Sequence, residues 1–318
     1  MKKIFITGGS GTVGSSFIEQ YQGEYKFYSY SRNEKMQVSL KRKFPDIEII
    51  LGSVEDYLML HTSIAKVNPD IIIHAAALKH VDSAEISPIQ AIKSNIIGSL
   101  YVIEASVSVG VPITVAISTD KACCADSNYG YTKALMEKMF LEAHTSKTKF
   151  SVCRFGNVSH SHGSVIPFWL SLHSENKPLP LTDESMNRLM FPREEAAQLV
   201  HEAVIKLQSD NEPFVLSQKM KTVNMLKLAQ IISDNIENVG LRPGEKLNET
   251  LINKKEVPNT FVDGKYITIR DYENTGDNKL IGEYSSQNAE FMTKDEMIKT
   301  IAEADKSLTS SLLESKIY

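Results

Sequence analysis

The chain has 318 residues, a formal net charge of -4, and a composition that is 42% hydrophobic and 23% charged, the make-up of a globular protein long enough for a substantial core. So small a net charge supplies no basic field for nucleic acid or anionic lipid and points to small-molecule partners. The opening run Met1-Lys2-Lys3-Ile4-Phe5-Ile6-Thr7 meets Gly8 too early for a secretion signal, and no later stretch has membrane-spanning length without charges. The expectation is cytoplasmic residence without a membrane partner.

In chain order, Lys3–Thr7 reads as a short buried strand, a glycine-rich turn follows, and Ser15–Gln22 has helical composition. The pattern then repeats. Strands are predicted at Lys26–Ser31, Ile47–Leu51 and Asp70–His74, with helices near Tyr57–Ala65 and Ser87–Ser108. A fifth strand, Ile113–Ser118, leads to a helix over Tyr129–His144, and a sixth follows at Phe150–Arg154. Alternation of this kind predicts an α/β fold, a Rossmann-type doubly wound parallel sheet with helices on both faces and cofactor chemistry at the carboxyl ends of the strands.

After Arg154 the rhythm weakens. Gly156–Pro180 is rich in Ser, His, Gly and Pro, and helices are predicted near Glu194–Gln208, Val223–Asn238 and Lys294–Lys306. The reading is a dinucleotide-binding domain over 1–155, rejoined by about 195–220, and a smaller discontinuous C-terminal α/β substrate lobe within 156–318. Cys123, Cys124 and Cys153 form neither a disulfide framework nor a metal spacing, so reduced thiols and no metal are expected.

Gly8, Gly11 and Gly14 stand in a G-x-x-G-x-x-G spacing between the first strand and the first helix. Such glycines allow a tight turn, let the backbone approach a pyrophosphate and bring the helix N-terminus to it. The motif alone is also compatible with an ordinary glycine-rich loop; its place at the head of a six-strand alternation favours the dinucleotide. At the end of the second strand, Arg32 favours the 2′-phosphate of NADP, Lys35 reinforces it, and Glu34 keeps NAD open.

Tyr129 and Lys133 lie one helical turn apart on one face. An adjacent ammonium is expected to lower a phenol from roughly 10 toward neutrality, where it serves as a base. Any surface helix can carry the pair. Ser118-Thr119-Asp120-Lys121, at the end of the fifth strand, either closes a turn or faces the cofactor and substrate together.

The strings His74-Ala75-Ala76-Ala77-Leu78-Lys79-His80-Val81, Ser118-Thr119-Asp120-Lys121-Ala122, Tyr129-Gly130-Tyr131-Thr132-Lys133, Arg154-Phe155-Gly156-Asn157-Val158, Gly163-Ser164-Val165-Ile166-Pro167-Phe168 and Leu241-Arg242-Pro243-Gly244-Glu245-Lys246 cover roughly residues 1 to 255. In order and spacing the chain resembles the UDP-N-acetylglucosamine 4,6-dehydratases of the extended short-chain dehydrogenase/reductase superfamily, most of all the short members that invert C5 on the route to pseudaminic acid.

The resemblance implies a cycle of internal redox. Tyr129, activated by Lys133, takes the proton of the sugar 4-hydroxyl, which Thr119 orients, as hydride leaves C4 for the nicotinamide. Lys121 removes the C5 proton, Asp120 protonates the departing C6 hydroxyl, and hydride returns to C6. It further implies cofactor contacts from Gly8, Ser10, Gly11, Thr12, Val13, Gly14, Arg32, Ala75, Ala76, Lys79, Asn95, Tyr129 and Lys133. The UDP-sugar would meet Lys79, Asn157, Ser164, Arg188, Arg242 and Glu245, in a homo-oligomer that is a dimer or a hexamer.

The chain departs from the family pattern at His160-Ser161-His162, Asn187, Leu189, Asn248, Ser53 and Cys123-Cys124-Ala125-Asp126-Ser127-Asn128. Most of these flank the expected sugar-nucleotide site. A sister enzyme acting on a 5,6-unsaturated UDP-sugar could use the same four residues. A simple 4-epimerase would have no use for Asp120 and Lys121, and a non-catalytic dinucleotide sensor no use for Tyr129 and Lys133.

Overall fold

The computed structural model describes residues 1–161 and 163–303, so His162 and the end of the helical run expected over Lys294–Lys306 lie outside the described residues. The first half alternates strand and helix, with α2 added to the expected elements: β1 (Lys2–Thr7), α1 (Thr12–Tyr21), β2 (Tyr25–Ser31), α2 (Glu34–Lys43), β3 (Glu48–Leu51), α3 (Tyr57–Val67) and β4 (Ile71–His74). Helices α4 (Val81–Ile86) and α5 (Pro88–Ile92), a π turn at Lys93–Ile97 and α6 (Gly98–Val109) then lead to β5 (Ile113–Thr119), a 3-10 turn at Asp120–Ala122, α7 (Asn128–Glu142) and β6 (Lys149–Phe155).

Beyond β6 come β7 (Asn157–Val158), α8 (Val165–Ser174), β8 (Leu179–Leu181), β9 (Asn187–Phe191), α9 (Arg193–Ser209), β10 (Val215–Gln218), β11 (Lys221–Asn224), α10 (Met225–Ile232) and β12 (Ile236–Asn238). The chain continues through β13 (Thr250–Ile252), β14 (Thr260–Asp263), β15 (Tyr266–Ile269), β16 (Tyr284–Ser285) and α11 (Lys294–Ala302).

The principal sheet has nine strands in the order β14-β15-β10-β6-β5-β4-β1-β2-β3. From β3 to β10 all neighbours run parallel, and the hairpin β14–β15 closes the edge antiparallel to β10. A parallel sheet buried on both faces asks for uninterrupted apolar strands, and Ile71, Ile72 and Ile73 of β4 are at most 1% exposed. Segment 195–220 joins this sheet through α9 and β10, as does 260–269. Helix α9 is tied to α1, because Ser16 Oγ donates to the Arg193 carbonyl at 3.1 Å and Gln20 Nε2 to that of Glu194 at 2.9 Å.

A second core, built on Ile166, Trp169, Leu179, Met190, Leu228, Ile232, Met297 and Ile301, holds the three-stranded sheet β11-β9-β7 and the pair β12–β8. The expected helix over Val223–Asn238 is in fact strand, helix, strand. Asn224 caps α10 by accepting from Lys227 N, and Ser233-Asp234-Asn235 ends it before Ile236 pairs with Leu179 in β8.

Candidate active site

The glycine turn is built by close packing. Gly8 sits at φ +71, and a Cβ there would stand 2.8 Å from the Ala76 nitrogen; one at Gly14 would stand 2.6 Å from the Gly9 α-carbon. Both distances exclude a side chain, so strand, turn and helix approach as closely as a backbone allows. Gly11 caps α1 without any side-chain hydrogen bond, and its amide donates back to the Gly8 carbonyl at 2.8 Å. That leaves an uncapped helix N-terminus, the setting in which peptide N–H groups receive a phosphate.

The turn opens on a cleft of about 880 Å³ along the carboxyl ends of the parallel strands. Gly8, Ser10, Gly11, Thr12, Val13, Gly14, Arg32, Ala75, Ala76 and Lys79 line it, together with Thr119, Lys121, Tyr129, Lys133, Asn157 and Ser164. Burial in the cleft wall lowers the Lys79 pKa. The Arg32 side chain is 64% exposed and lies 3.5 Å from Glu55, whose carboxylate also accepts from Ser94 Oγ at 2.5 Å and Gln90 Nε2 at 2.8 Å.

Five of the expected residues do not line the cleft: Asp120, buried beside Lys121, and Asn95, Arg188, Arg242 and Glu245. Asn95 is 1% exposed; its amide donates to the Leu78 carbonyl and Thr132 Oγ1, both at 3.0 Å, and accepts from Leu78 N at 2.8 Å. It braces the cleft from behind. Arg188, 6% exposed on β9, donates to the carbonyls of Asn187 and Leu247 at 2.9 and 3.2 Å. Arg242 and Glu245 close a surface turn, the Glu245 carboxylate accepting from Arg242 N at 3.1 Å. Neither the two arginines nor Glu245 or Asn95 line the cleft.

At the end of β5 the chain tightens into the 3-10 turn, capped by Thr119. Thr119 Oγ1 donates to Asp120 Oδ1 at 3.0 Å, and Lys121 Nζ donates to the same oxygen at 3.1 Å. Asp120 is 1% exposed and its Oδ2 has no partner; the buried hydroxyls of Ser118 and Ser164 are likewise unpartnered. Orphaned buried polar atoms are rare in folded proteins; Ser118 and Ser164 line the cleft, and Asp120 is buried beside Lys121, which lines it too. Ser164 also caps α8 without using its side chain, a second helix N-terminus open to an anion.

Sequence reasoning missed Glu249. It is 2% exposed, lies 128 positions from Lys121, and brings Oε1 to 3.4 Å from the Lys121 ammonium. Burial opposes the Lys121 charge, but Asp120 and Glu249 outweigh it and hold the pKa above the usual lysine value against Arg188. For Glu249, burial raises the pKa, and Lys121 only partly offsets that.

The tyrosine and lysine of α7 depart from expectation. Burial pushes the Tyr129 phenol up to about 12, Lys121 and a hydrogen bond with Thr119 pull it down, and Asp120 pushes it up. Lys133 is turned away: Nζ donates to the Ile117 carbonyl at 2.5 Å and to Met136 Sδ at 3.0 Å. Burial lowers its own pKa to about 8, with Glu137 opposing. The cation that bears on the phenol here is Lys121.

Behind the site Arg154, 3% exposed on β6, pairs with Glu137 of α7 at 2.7 Å and Glu256 at 2.8 Å, and donates to the Leu251 carbonyl at 2.9 Å. This buried fork locks the tyrosine helix to the segment that carries Glu249. Among the described residues no cluster of side chains suits a metal, and no helix is long and apolar enough to cross a membrane.

Residues 4–271 match the polysaccharide biosynthesis protein family. An inverting UDP-N-acetylglucosamine 4,6-dehydratase of Campylobacter jejuni is 36% identical over 280 residues, covering 84% of this chain and 82% of the relative. A UDP-glucose 4-epimerase of Rickettsia bellii is 30% identical, covering 96% of each. The crystal structure of Pen from Bacillus thuringiensis superposes with a TM-score of 0.88 at 29% identity, covering 95% of this chain and 97% of that one. The glycine turn, the parallel sheet and the Asp120-Lys121 and Tyr129-Lys133 pairs thus sit in a chain that belongs to the polysaccharide biosynthesis protein family, on the extended short-chain dehydrogenase/reductase fold.

Proposed function

We propose that the chain is a nucleotide-sugar 4,6-dehydratase that acts on UDP-N-acetylglucosamine and inverts C5. The observation that carries this reading is the buried acid–base pair Asp120–Lys121 at the strand end, with Asp120 Oδ2 unpartnered. It is the activity named for the Campylobacter relative. A 4-epimerase, the activity named for the Rickettsia relative, works at C4 alone and leaves Asp120 and Lys121 idle.

The closely packed glycine turn, the uncapped α1 and the orphaned Ser118 hydroxyl fit a nicotinamide dinucleotide. Ser10, Thr12, Val13, Ala75, Ala76, Lys79, Tyr129 and Lys133 would flank it. Bound there, it supplies a hydride acceptor that becomes the donor within one turnover. Arg32 favours NADP.

The protein's own residues move the protons. Tyr129 acts as the phenolate, which the Lys121 ammonium and the Thr119 hydrogen bond favour against burial, and takes the proton of the 4-hydroxyl, with Thr119 orienting that hydroxyl. The ketone formed at C4 acidifies C5, and Lys121 removes the C5 proton. Asp120 donates to the C6 hydroxyl, which leaves as water, and C5 receives its new proton from solvent at the opposite face. Lys79, Asn157 and Ser164 suit the diphosphate, while Arg188, held behind Lys121, acts on the site's charge. The dinucleotide is assigned to 1–155 with 195–220, and the sugar nucleotide to the second lobe.

Incubation of purified protein with UDP-N-acetylglucosamine in heavy water tests the reading. A 4-keto-6-deoxy product with deuterium at C5 is expected by NMR. Unchanged sugar, or 4-epimerisation of UDP-glucose at a greater rate, would count against it.

A homo-oligomer, dimer or hexamer, in the cytoplasm belongs to the same reading. Ile86, Ile89, Tyr131 and Leu135 stand exposed on α4, α5 and α7, which pack on one another, and an apolar face of this kind suits an isologous contact with a second copy. Sedimentation at the single-chain mass of 35.5 kDa would exclude it.

A further inference from the structure

Three observations converge on Glu249. It is the second carboxylate at the Lys121 ammonium, 3.4 Å away where Asp120 is 3.1 Å away, so one cation is held between two buried anions. Its backbone is fixed, because Glu249 N donates to Ser286 Oγ at 2.9 Å and Ser286 N donates to the Glu249 carbonyl at 2.9 Å. The following strand, β13, pairs with β16 and packs against the 3-10 turn that bears Asp120 and Lys121. Among the described residues Glu249 forms no ion pair besides the one with Lys121.

We propose that Glu249 is a positioning residue for Lys121: opposite Asp120, it fixes where the ammonium stands and how firmly it holds its proton. The inference rests on the dehydratase reading for its chemistry. In that chemistry the amine must be free before it can take the C5 proton. Transfer of one proton from the Lys121 ammonium to the Asp120 carboxylate leaves a neutral amine and a neutral acid. The amine then accepts the proton from C5, and the acid gives its proton to the C6 hydroxyl, which departs as water. Glu249 takes no part in this exchange and faces the ammonium that re-forms when the C5 proton arrives.

The groups that face this pair from every side are Asp120 on the 3-10 turn, Tyr129 on α7, Arg188 on β9 and Lys246 on the 242–249 loop. Asp120 and Glu249 favour the ammonium and Arg188 disfavours it. Removal of the Glu249 charge therefore lowers the Lys121 pKa.

The test compares wild type with Glu249→Gln and Glu249→Asp, as holoenzymes whose fold is checked by circular dichroism. Acylation of Lys121 is followed against pH by peptide mass spectrometry without substrate. Glu249→Gln should move its midpoint down by on the order of one pH unit, the least expected on loss of an opposite charge this close. Glu249→Asp, which keeps the charge but withdraws it by a methylene, should fall between. An unmoved midpoint in folded Glu249→Gln overturns the proposal, as does a midpoint in Glu249→Asp that moves the other way.

With UDP-N-acetylglucosamine, the acidic limb of the kcat profile should shift in step with the labelling midpoint while KM holds. If the wild type leaves that sugar unchanged, the dehydratase reading fails, yet the labelling arm still decides whether Glu249 governs Lys121.

Discussion

At the scale of single residues, burial and charge compete over each proton. Tyr129→Phe removes the phenol without opening a cavity, so the fold should survive while turnover drops by about 10²- to 10⁴-fold, the usual share of a general base; steady-state assay with product NMR checks it. Lys133 makes the opposite demand on stability. Its pKa is about 8 in the folded chain against an ordinary 10.5. Between those values the unfolded chain binds a proton that the folded chain does not, so stability rises with pH across that window and the penalty is full below it. Lys133→Met should therefore raise stability at pH 7 by on the order of 1–3 kcal/mol, less the cost of leaving the Ile117 carbonyl unpaired, and the gain should shrink toward pH 10. Equal gains at both pH values in denaturant melts would refute it. The Tyr-x-x-x-Lys spacing was legible in the sequence; the direction of Lys133 was not, because the Ile117 carbonyl that receives it lies on β5, across the packed interface from α7, and the Met136 sulfur one turn on along α7 gives no sign of it.

At the scale of elements, what the sequence discloses is local and what it hides is the joint between segments. Strand β1, the turn and α1 follow from residues adjacent in sequence. Yet α1 begins at Thr12 rather than Ser15, since a glycine cap leaves no side-chain signal. Arg154 stood out only as one letter of a motif, although it joins β6 to α7 and to the turn at Glu256. Glu249 gave no local sign, since its partner Lys121 is far from it in sequence and is met only in the folded chain. Arg154→Met would leave Glu137 and Glu256 buried without their cation, a loss of about 3–5 kcal/mol. Burial raises the Glu256 pKa, but Arg154 and further hydrogen bonds outweigh it and hold it below the usual 4.5. That contribution is present above the unfolded value and fades as pH falls through the folded one. The difference between wild type and Arg154→Met in urea melts should therefore narrow under acid; a constant difference down to pH 3 would argue against this account. Gly14→Ala tests the turn. Its Cβ would press on Gly9 at 2.6 Å, so α1 must shift from the turn, and bound dinucleotide should fall well before secondary structure does.

The whole molecule sets a nine-stranded sheet against a smaller lobe with its own core, and the cleft is lined both by the cofactor turn and by 155–159 and 163–166. The alternation of strands made the cofactor turn readable. The second lobe interleaves short strands with the return of 195–220 and 260–269 to the main sheet; the expectation named the first of these, and no periodicity announced the second. This division bears on which dinucleotide the protein keeps. A ligand bound only by the folded chain stabilises it by RT ln(1 + [L]/Kd), about 4 kcal/mol at a thousandfold excess over Kd. Nucleotide-stripped protein should therefore melt lower than protein as purified, and NADP should restore more of the loss than NAD. Arg32 lies at the end of β2 with a side chain largely in solvent, so its change to Ala should leave the melting of stripped protein nearly unmoved. The advantage of NADP over NAD should vanish in that variant, because the charge that meets the extra phosphate has gone while the shared contacts along the glycine turn remain. Melting curves for the two proteins with each nucleotide decide the point: an NADP preference that survives Arg32→Ala would move the source of selectivity to another residue of the cleft, and a preference for NAD in the wild type would assign the ribose hydroxyls to an acidic group such as Glu34.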